Sequence, residues 1–156
     1  MQFLLKTAEE TEQFGAQLFS ILAEKSLVFL LGDLGAGKTT LVRGFMRKAG
    51  HQGTVKSPTY NIVEEYKINQ RLFFHFDLYR LVDPEELEWI GIDDYLQAQS
   101  VCFIEWPSLG EGYLPEPDLI IAMEVVDEGR RITLEKIPAE IINNFLIEKQ
   151  IDSAIL

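Results

Sequence analysis

The chain has 156 residues, 47% of them hydrophobic and 25% charged, ordinary values for one globular domain that can bury a core without staples. Its net charge of −11 disfavours direct, unaided binding to RNA or DNA, since a polyanion is drawn to clustered Lys and Arg. No apolar run approaches the roughly 20 residues that span a bilayer, the start Met1-Gln2-Phe3-Leu4-Leu5-Lys6 lacks the form of a secretion signal, and the lone Cys102 excludes an internal disulfide or a cysteine-based metal site, so a cytoplasmic location is expected.

Thr7-Ala8-Glu9-Glu10 has the form of a capping box, and Phe14, Leu18, Ile21 and Leu22 follow at helical spacing, which predicts an amphipathic helix to about Ala23. Leu27 to Leu31 is a short apolar run that reads as a buried strand. A glycine-rich loop then feeds a helix from about Lys38 to Ala49, with Gly50 as its C-cap. Thr59 to Ile68 and Arg71 to Asp77 flank Asn69-Gln70 and predict a hairpin with a two-residue loop. Asp83-Pro84-Glu85-Glu86 predicts a helix start, with Asp83 as N-cap and Pro84 at the first helical position. Val101 to Ile104 is another buried strand. Leu119 to Val126 and Arg131 to Lys136 form a late hairpin around Asp127-Glu128-Gly129. Pro138 opens a last helix with Ile141, Ile142, Phe145 and Leu146 facing inward, and the tail after about residue 150 has no predicted element. Strands alternating with helices around such a loop predict an α/β fold of phosphate-loop type over the single domain 1–156: three layers, with a mixed, mainly parallel central sheet and antiparallel hairpin additions.

Gly32, Gly37, Lys38 and Thr39 satisfy the pattern Gly-x-x-x-x-Gly-Lys-Thr. A loop that wraps a triphosphate must turn its backbone N–H groups inward, and glycines permit the positive φ angles and close approach this demands. The following helix adds unpaired N–H groups and the positive end of its dipole. Lys38 can reach the β and γ phosphates and the Thr39 hydroxyl can sit on Mg²⁺. A chance glycine-rich turn is the competing reading, but the strand before the loop and the helix after it supply the context the motif requires.

Phosphoryl chemistry on such a loop also needs an acid near the metal, usually at the end of a neighbouring strand. Glu105 ends the apolar run Val101 to Ile104, where the alternative is a carboxylate escaping to solvent. In Phe73-Phe74-His75-Phe76-Asp77-Leu78-Tyr79, alternation puts Leu72, Phe74, Phe76 and Leu78 on one face and His75, Asp77 and Tyr79 on the other. Asp77 is the second candidate acid, against an exposed face or a pairing with Arg80. His75 reads more readily as a structural histidine than as a base. Glu105 is favoured as the nearer metal ligand and Asp77 as a helper, an order that strand position alone does not fix. Ser57-Pro58-Thr59-Tyr60 reads either as a switch segment whose Thr59 closes over the γ-phosphate or as a plain turn, with Pro58 fixing φ and Ser57 bonding locally.

Several separated segments, Gly32 to Thr40, Lys56 to Tyr60, His75 to Leu81, Asp83 to Leu87 and Ile104 to Pro107, together resemble the TsaE (YjeE) family, the bacterial ATPase subunit of the tRNA threonylcarbamoyladenosine machinery. The likeness runs from about Thr7 to Lys136. It implies ATP and Mg²⁺ as ligands, weak ATP hydrolysis alone, and action with the TsaB–TsaD pair on adenosine 37 of tRNA, with tRNA met only through those partners. Carried over by position, Gly32, Asp33, Leu34, Gly35, Ala36, Gly37, Lys38, Thr39 and Thr40 would cradle the nucleotide. Thr39 and Glu105 would hold Mg²⁺, Asp77 would be the second acid, Thr59 a switch residue and Trp106 a supporting neighbour. Thr7 and Arg130 would lie near the base and ribose.

Rival readings are a small-molecule kinase, which would need an arginine-rich lid that the sequence does not display, and a nucleotide-sensing adaptor that binds without turnover. A GTPase is disfavoured because no Asn-Lys-x-Asp element is present.

Overall fold

The apolar runs assemble into one seven-stranded sheet. The computed structural model describes residues 1–58 and 60–151, with side chains of the final helix described through Phe145. The expectations for Thr59, for the Leu146 side chain and for the tail beyond residue 151 lie outside the described residues.

In chain order the elements are β1 (Gln2–Leu5), α1 (Ala8–Ile21), β2 (Ser26–Leu31), α2 (Lys38–Ala49), β3 (Val63–Ile68), β4 (Arg71–Asp77), α3 (Glu86–Trp89), α4 (Ile92–Gln97) and β5 (Ser100–Glu105). A 3₁₀ turn at Pro107–Gly110 precedes β6 (Leu119–Val126), β7 (Gly129–Glu135) and α5 (Ala139–Ile151). The strand order is β1-β7-β6-β2-β5-β4-β3. The four central strands β4, β5, β2 and β6 are parallel to one another, and β3, β7 and β1 join through antiparallel pairings. The α/β sheet with hairpin additions is therefore as expected.

Both faces of the sheet are covered, as parallel strands require. One face buries Val28, Leu30, Phe73, Val101 and Phe103 with Leu18, Leu41 and Phe45 of α1 and α2. The other buries Leu27, Phe74, Phe76, Cys102 and Ile104 with Leu87 and Ile92 of α3 and α4. Two glycines let α1 and α2 meet at their backbones. A Cβ on Gly15 would stand 2.0 Å from the Leu41 carbonyl oxygen, and one on Gly44 would stand 2.0 Å from that of Glu12. Above that contact Glu12 accepts from Arg43 at 3.3 Å and Arg47 at 2.9 Å.

Local signals explain most boundaries. The Thr7 hydroxyl caps α1 by accepting from the Glu10 N–H at 3.1 Å. Glu10 reaches back to the Lys6 N–H, one residue before the expected partner. Asn69 and Gln70 have φ of 50° and 66°, the left-handed pair that a two-residue hairpin with this twist requires. Three expectations need correction. The first hairpin strand starts at Val63 and not Thr59, since residues 60–62 form bends. Asp83 caps the Glu85 N–H at 2.9 Å in a turn, and α3 starts at Glu86, so Pro84 is not its first helical residue. In the late hairpin β7 begins at Gly129, paired with Val126, and ends at Glu135, leaving Asp127-Glu128 as the loop. Strand β1 was not expected at all. It pairs with β7, where the Leu134 N–H donates to the Met1 carbonyl at 2.8 Å. Among the described residues no helix is long and apolar enough to cross a membrane.

Candidate functional site

The site lies where three parallel strands end together, the usual place for a ligand in an open α/β sheet. Strand β2 runs into Gly32, β5 ends at Glu105 and β4 ends at Asp77. Asp77 and Glu105 are register partners on adjacent parallel strands, so their side chains leave the sheet on the same face. His75, two residues earlier on β4, shares that face. It is also the face that α2 covers.

The loop from Gly32 to Gly37 is shaped by the need to expose its amides. Gly32 has φ of 149°, and a Cβ there would stand 2.5 Å from the Met123 carbonyl of β6, so backbone must pass where a side chain cannot. Gly37 is the N-cap of α2 with φ of 103° and makes no side-chain cap. The first N–H groups of α2 are thus left for a ligand, at the positive end of a 12-residue helix. Helix α1, whose start is capped by Thr7, shows the contrast.

Lys38 is 6% exposed, and its ammonium donates to the Gly32 carbonyl and, at 3.3 Å, to that of Asp33. The same nitrogen lies 4.8 Å from the centre of the Trp106 ring, within the range of a cation–π contact. Trp106 takes φ of 56° immediately after β5 and packs against Tyr79 at 5.0 Å between ring centres. A left-handed non-glycine residue costs about 1–2 kcal/mol. Trp106 is therefore held against Lys38 by its surroundings and not by local preference.

The two acids are joined by Ser57. Its Oγ lies 2.9 Å from Asp77 Oδ2 and 2.8 Å from Glu105 Oε2. A serine hydroxyl has one proton, so it cannot fully satisfy two carboxylates at once. Glu105 Oε2 also faces His75 Nε2 at 3.1 Å, and His75 is wholly buried. Asp77 Oδ1 accepts from the Tyr79 N–H at 3.0 Å. Burial alone would push the Glu105 carboxyl up, but the hydrogen bond and charge of His75, the Ser57 hydroxyl and the Lys38 charge together hold it below the usual value of 4.5.

These groups border one cleft of about 510 Å³, lined by residues 34–40 of the loop and α2, by Ser57, Asp77 and Glu105, and by Tyr79, Trp106 and Arg130. Arg130 Nη2 donates to the Gly35 carbonyl at 3.3 Å, which ties the late hairpin to the phosphate loop. Thr7 spends its hydroxyl on the α1 cap and is not among the described residues lining the cleft. The register of β4 and β5 brings the two acids together, and the segment before β3 delivers Ser57 to both. His75, read as a structural histidine, is a direct partner of Glu105.

The donors suit a magnesium–nucleotide pair. Two carboxylates and the Thr39 hydroxyl are hard oxygen ligands, the kind Mg²⁺ takes. Among the described residues no group of three or more His, Cys, Asp or Glu converges, so the side chains do not form a self-sufficient cage. Mg²⁺ is ordinarily shared between one or two carboxylates and substrate phosphates, which matches this set.

Comparison with known proteins gives one consistent result. Residues 5–133 match the family model described as "Threonylcarbamoyl adenosine biosynthesis protein TsaE". The tRNA threonylcarbamoyladenosine biosynthesis protein TsaE of Haemophilus influenzae is 52% identical over 124 residues, 79% of this chain and 78% of that protein. The protein of the same name from Bacillus subtilis is 38% identical over 126 residues, 80% of this chain and 78% of its own length. The crystal structure of Bacillus subtilis YdiB superposes with a TM-score of 0.74 at 28% identity, covering 97% of this chain and 95% of the other.

Proposed function

The chain belongs to the TsaE family of tRNA threonylcarbamoyladenosine biosynthesis proteins, and from that premise we propose that it is the Mg²⁺-dependent ATPase subunit of that pathway, acting with TsaB- and TsaD-like proteins on position 37 of tRNA. The observation that carries the reading is the convergence on one cleft of uncapped α2 amides, the buried Lys38 ammonium and two carboxylates joined through Ser57.

The residues divide the work. Loop amides from Gly32 to Thr40 and the Lys38 ammonium bind the phosphates, which compensates locally for a chain charge of −11 that repels ATP at long range. Thr39 and Glu105 would hold the metal, with Asp77 beside them. Mg²⁺ bound there would neutralise phosphate charge and orient the terminal group. Asp77 positions the attacking water, and Thr59 would be the switch residue at the γ-phosphate. Arg130, tied to the loop and lining the cleft, takes the nucleoside side, whereas Thr7, expected there, spends its hydroxyl on the α1 cap. Catalysis of this kind is mainly positioning and electrostatic stabilisation. Turnover is therefore weak until a partner completes the site, and an arginine supplied from a partner is worth about 10³–10⁵ in rate in other phosphate-loop enzymes.

The deciding experiment is phosphate release from ATP and from GTP, with and without the TsaB–TsaD pair and tRNA. ATP-selective release that rises when the pair is added supports the proposal. Nucleotide binding with no release even in the assembled complex leaves a sensing adaptor in its place, and transfer of phosphate to a metabolite leaves a kinase.

A further inference from the structure

Glu105 presents two oxygens, and the protein engages them unequally. Oε2 receives His75 Nε2 at 3.1 Å and Ser57 Oγ at 2.8 Å. Oε1 has no hydrogen bond among the described residues, although the residue borders the cleft. The carboxylate is an acceptor only, so His75 must donate through Nε2–H. His75 Nδ1 then has no partner among the described residues, although the ring is wholly buried. A buried nitrogen without a partner is a penalty of about 1–3 kcal/mol. The neighbours of His75 on that face of the adjoining strand positions, Phe73 and Phe103, are apolar.

We propose that His75 is a positioning residue for the metal–nucleotide site: by holding Oε2 of Glu105 from beneath, it fixes the carboxylate plane so that Oε1 is turned to the cleft. The inference rests on the reading of the cleft as a Mg²⁺–nucleotide site. The logic is that of an outer-shell partner, which orients a ligand it does not replace and whose loss typically weakens metal affinity about ten- to a hundredfold. Ser57 makes the second bond to Oε2, but it is also bonded to Asp77 and sits on an irregular segment. His75 is fixed within β4, in the sheet interior, and is the more rigid of the two supports.

The test is calorimetric titration of a non-hydrolysable ATP analogue into the full chain, once with excess Mg²⁺ and once with EDTA. The readout is the ratio of the two affinities. His75→Phe keeps a planar aromatic ring, somewhat larger than imidazole, and removes the donor. His75→Gln returns an N–H near the Nε2 position. We expect the Mg²⁺-dependent ratio to fall about ten- to a hundredfold in His75→Phe, with the EDTA affinity unchanged, and to recover in His75→Gln. An unchanged ratio in His75→Phe overturns the proposal. So does a parallel fall in both titrations, which would mark a purely structural role, or a His75→Gln variant no better than His75→Phe. If the parent chain binds the analogue in neither buffer, the Mg²⁺–nucleotide reading itself fails, and that outcome is visible before any variant is made.

Discussion

Gly44→Ala probes how the packing of two helices sets the phosphate loop. Replacing a mid-helix glycine with alanine ordinarily stabilises by about 1 kcal/mol. Here the new Cβ would lie 2.0 Å from the Glu12 carbonyl oxygen and 2.6 Å from the Glu12 Cα, both backbone atoms that no rotamer change can clear. Carbon–oxygen contacts of this kind sit near about 3.3–3.6 Å, so α1 and α2 must part by more than about 1 Å. Overpacking of this type costs about 1–3 kcal/mol, occasionally more, and it outweighs the propensity gain. The bonds from Arg43 and Arg47 to Glu12 lengthen as well, but partly exposed pairs add only about 0–1 kcal/mol. A net loss of about 2 kcal/mol lowers Tm by roughly 4–8 °C for a chain of this size. Because α2 begins at Lys38 and Thr39, the same displacement weakens nucleotide binding. Thermal melts and nucleotide titrations of the purified variant read both effects. A Gly44→Ala protein that melts at or above the parent and binds nucleotide equally would refute the argument that backbone contact here fixes the loop.

Lys38→Ala removes the buried ammonium and is expected to abolish nucleotide binding in calorimetry; normal phosphate release from that variant in the assembled complex would show that the site is misassigned. Gln70→Gly relieves a left-handed non-glycine residue in the hairpin turn and should stabilise by about 0.5–1 kcal/mol, read as a raised urea midpoint. Glu105 gives a pH prediction with a defined sign. Its folded-state pKa is lowered, so the stability it contributes is present above the ordinary value of 4.5 and is lost as pH falls through the lower folded value. In EDTA, the stability difference between the parent and Glu105→Gln should therefore be flat above 4.5 and shift against the parent below it. A difference that does not change across that window would mean His75, Ser57 and Lys38 do not favour the ionised form.

Much of this architecture is visible in the sequence because its signals are local. The strand–loop–helix unit from Leu27 to Ala49 carries its own punctuation in Gly32, Gly37 and Gly50, and α2 has the expected limits. Strand β4 was legible for the same reason, bounded by Asn69-Gln70 and by its aromatic alternation. Strand β1 was not, because four residues carry too little pattern and its partner β7 lies near the other end of the chain. The alternation in β4 sorted His75 and Asp77 onto one face correctly, but alternation does not report exposure. An interior strand of a sheet covered on both sides buries each face, and His75 is wholly buried as a result. Ser57 shows the same limit from a different cause. Its local hydrogen-bonding habit is readable from Ser-Pro, while its reach to Asp77 and Glu105 depends on how β4 and β5 align.

The docking of β1 on β7 has a consequence for biogenesis. The Met1 amino group donates to the Leu134 carbonyl across 133 residues of sequence. At roughly 5–20 residues per second, a ribosome takes on the order of ten seconds to make that interval. Throughout, Phe3 and Leu5 have no strand to join, while α1 and the β2–α2 unit can already pack together. The sheet is thus closed along its β1 edge only once β7 has been made. A nascent chain stalled before Gly129 would carry Phe3 and Leu5 on a segment whose partner strand does not yet exist.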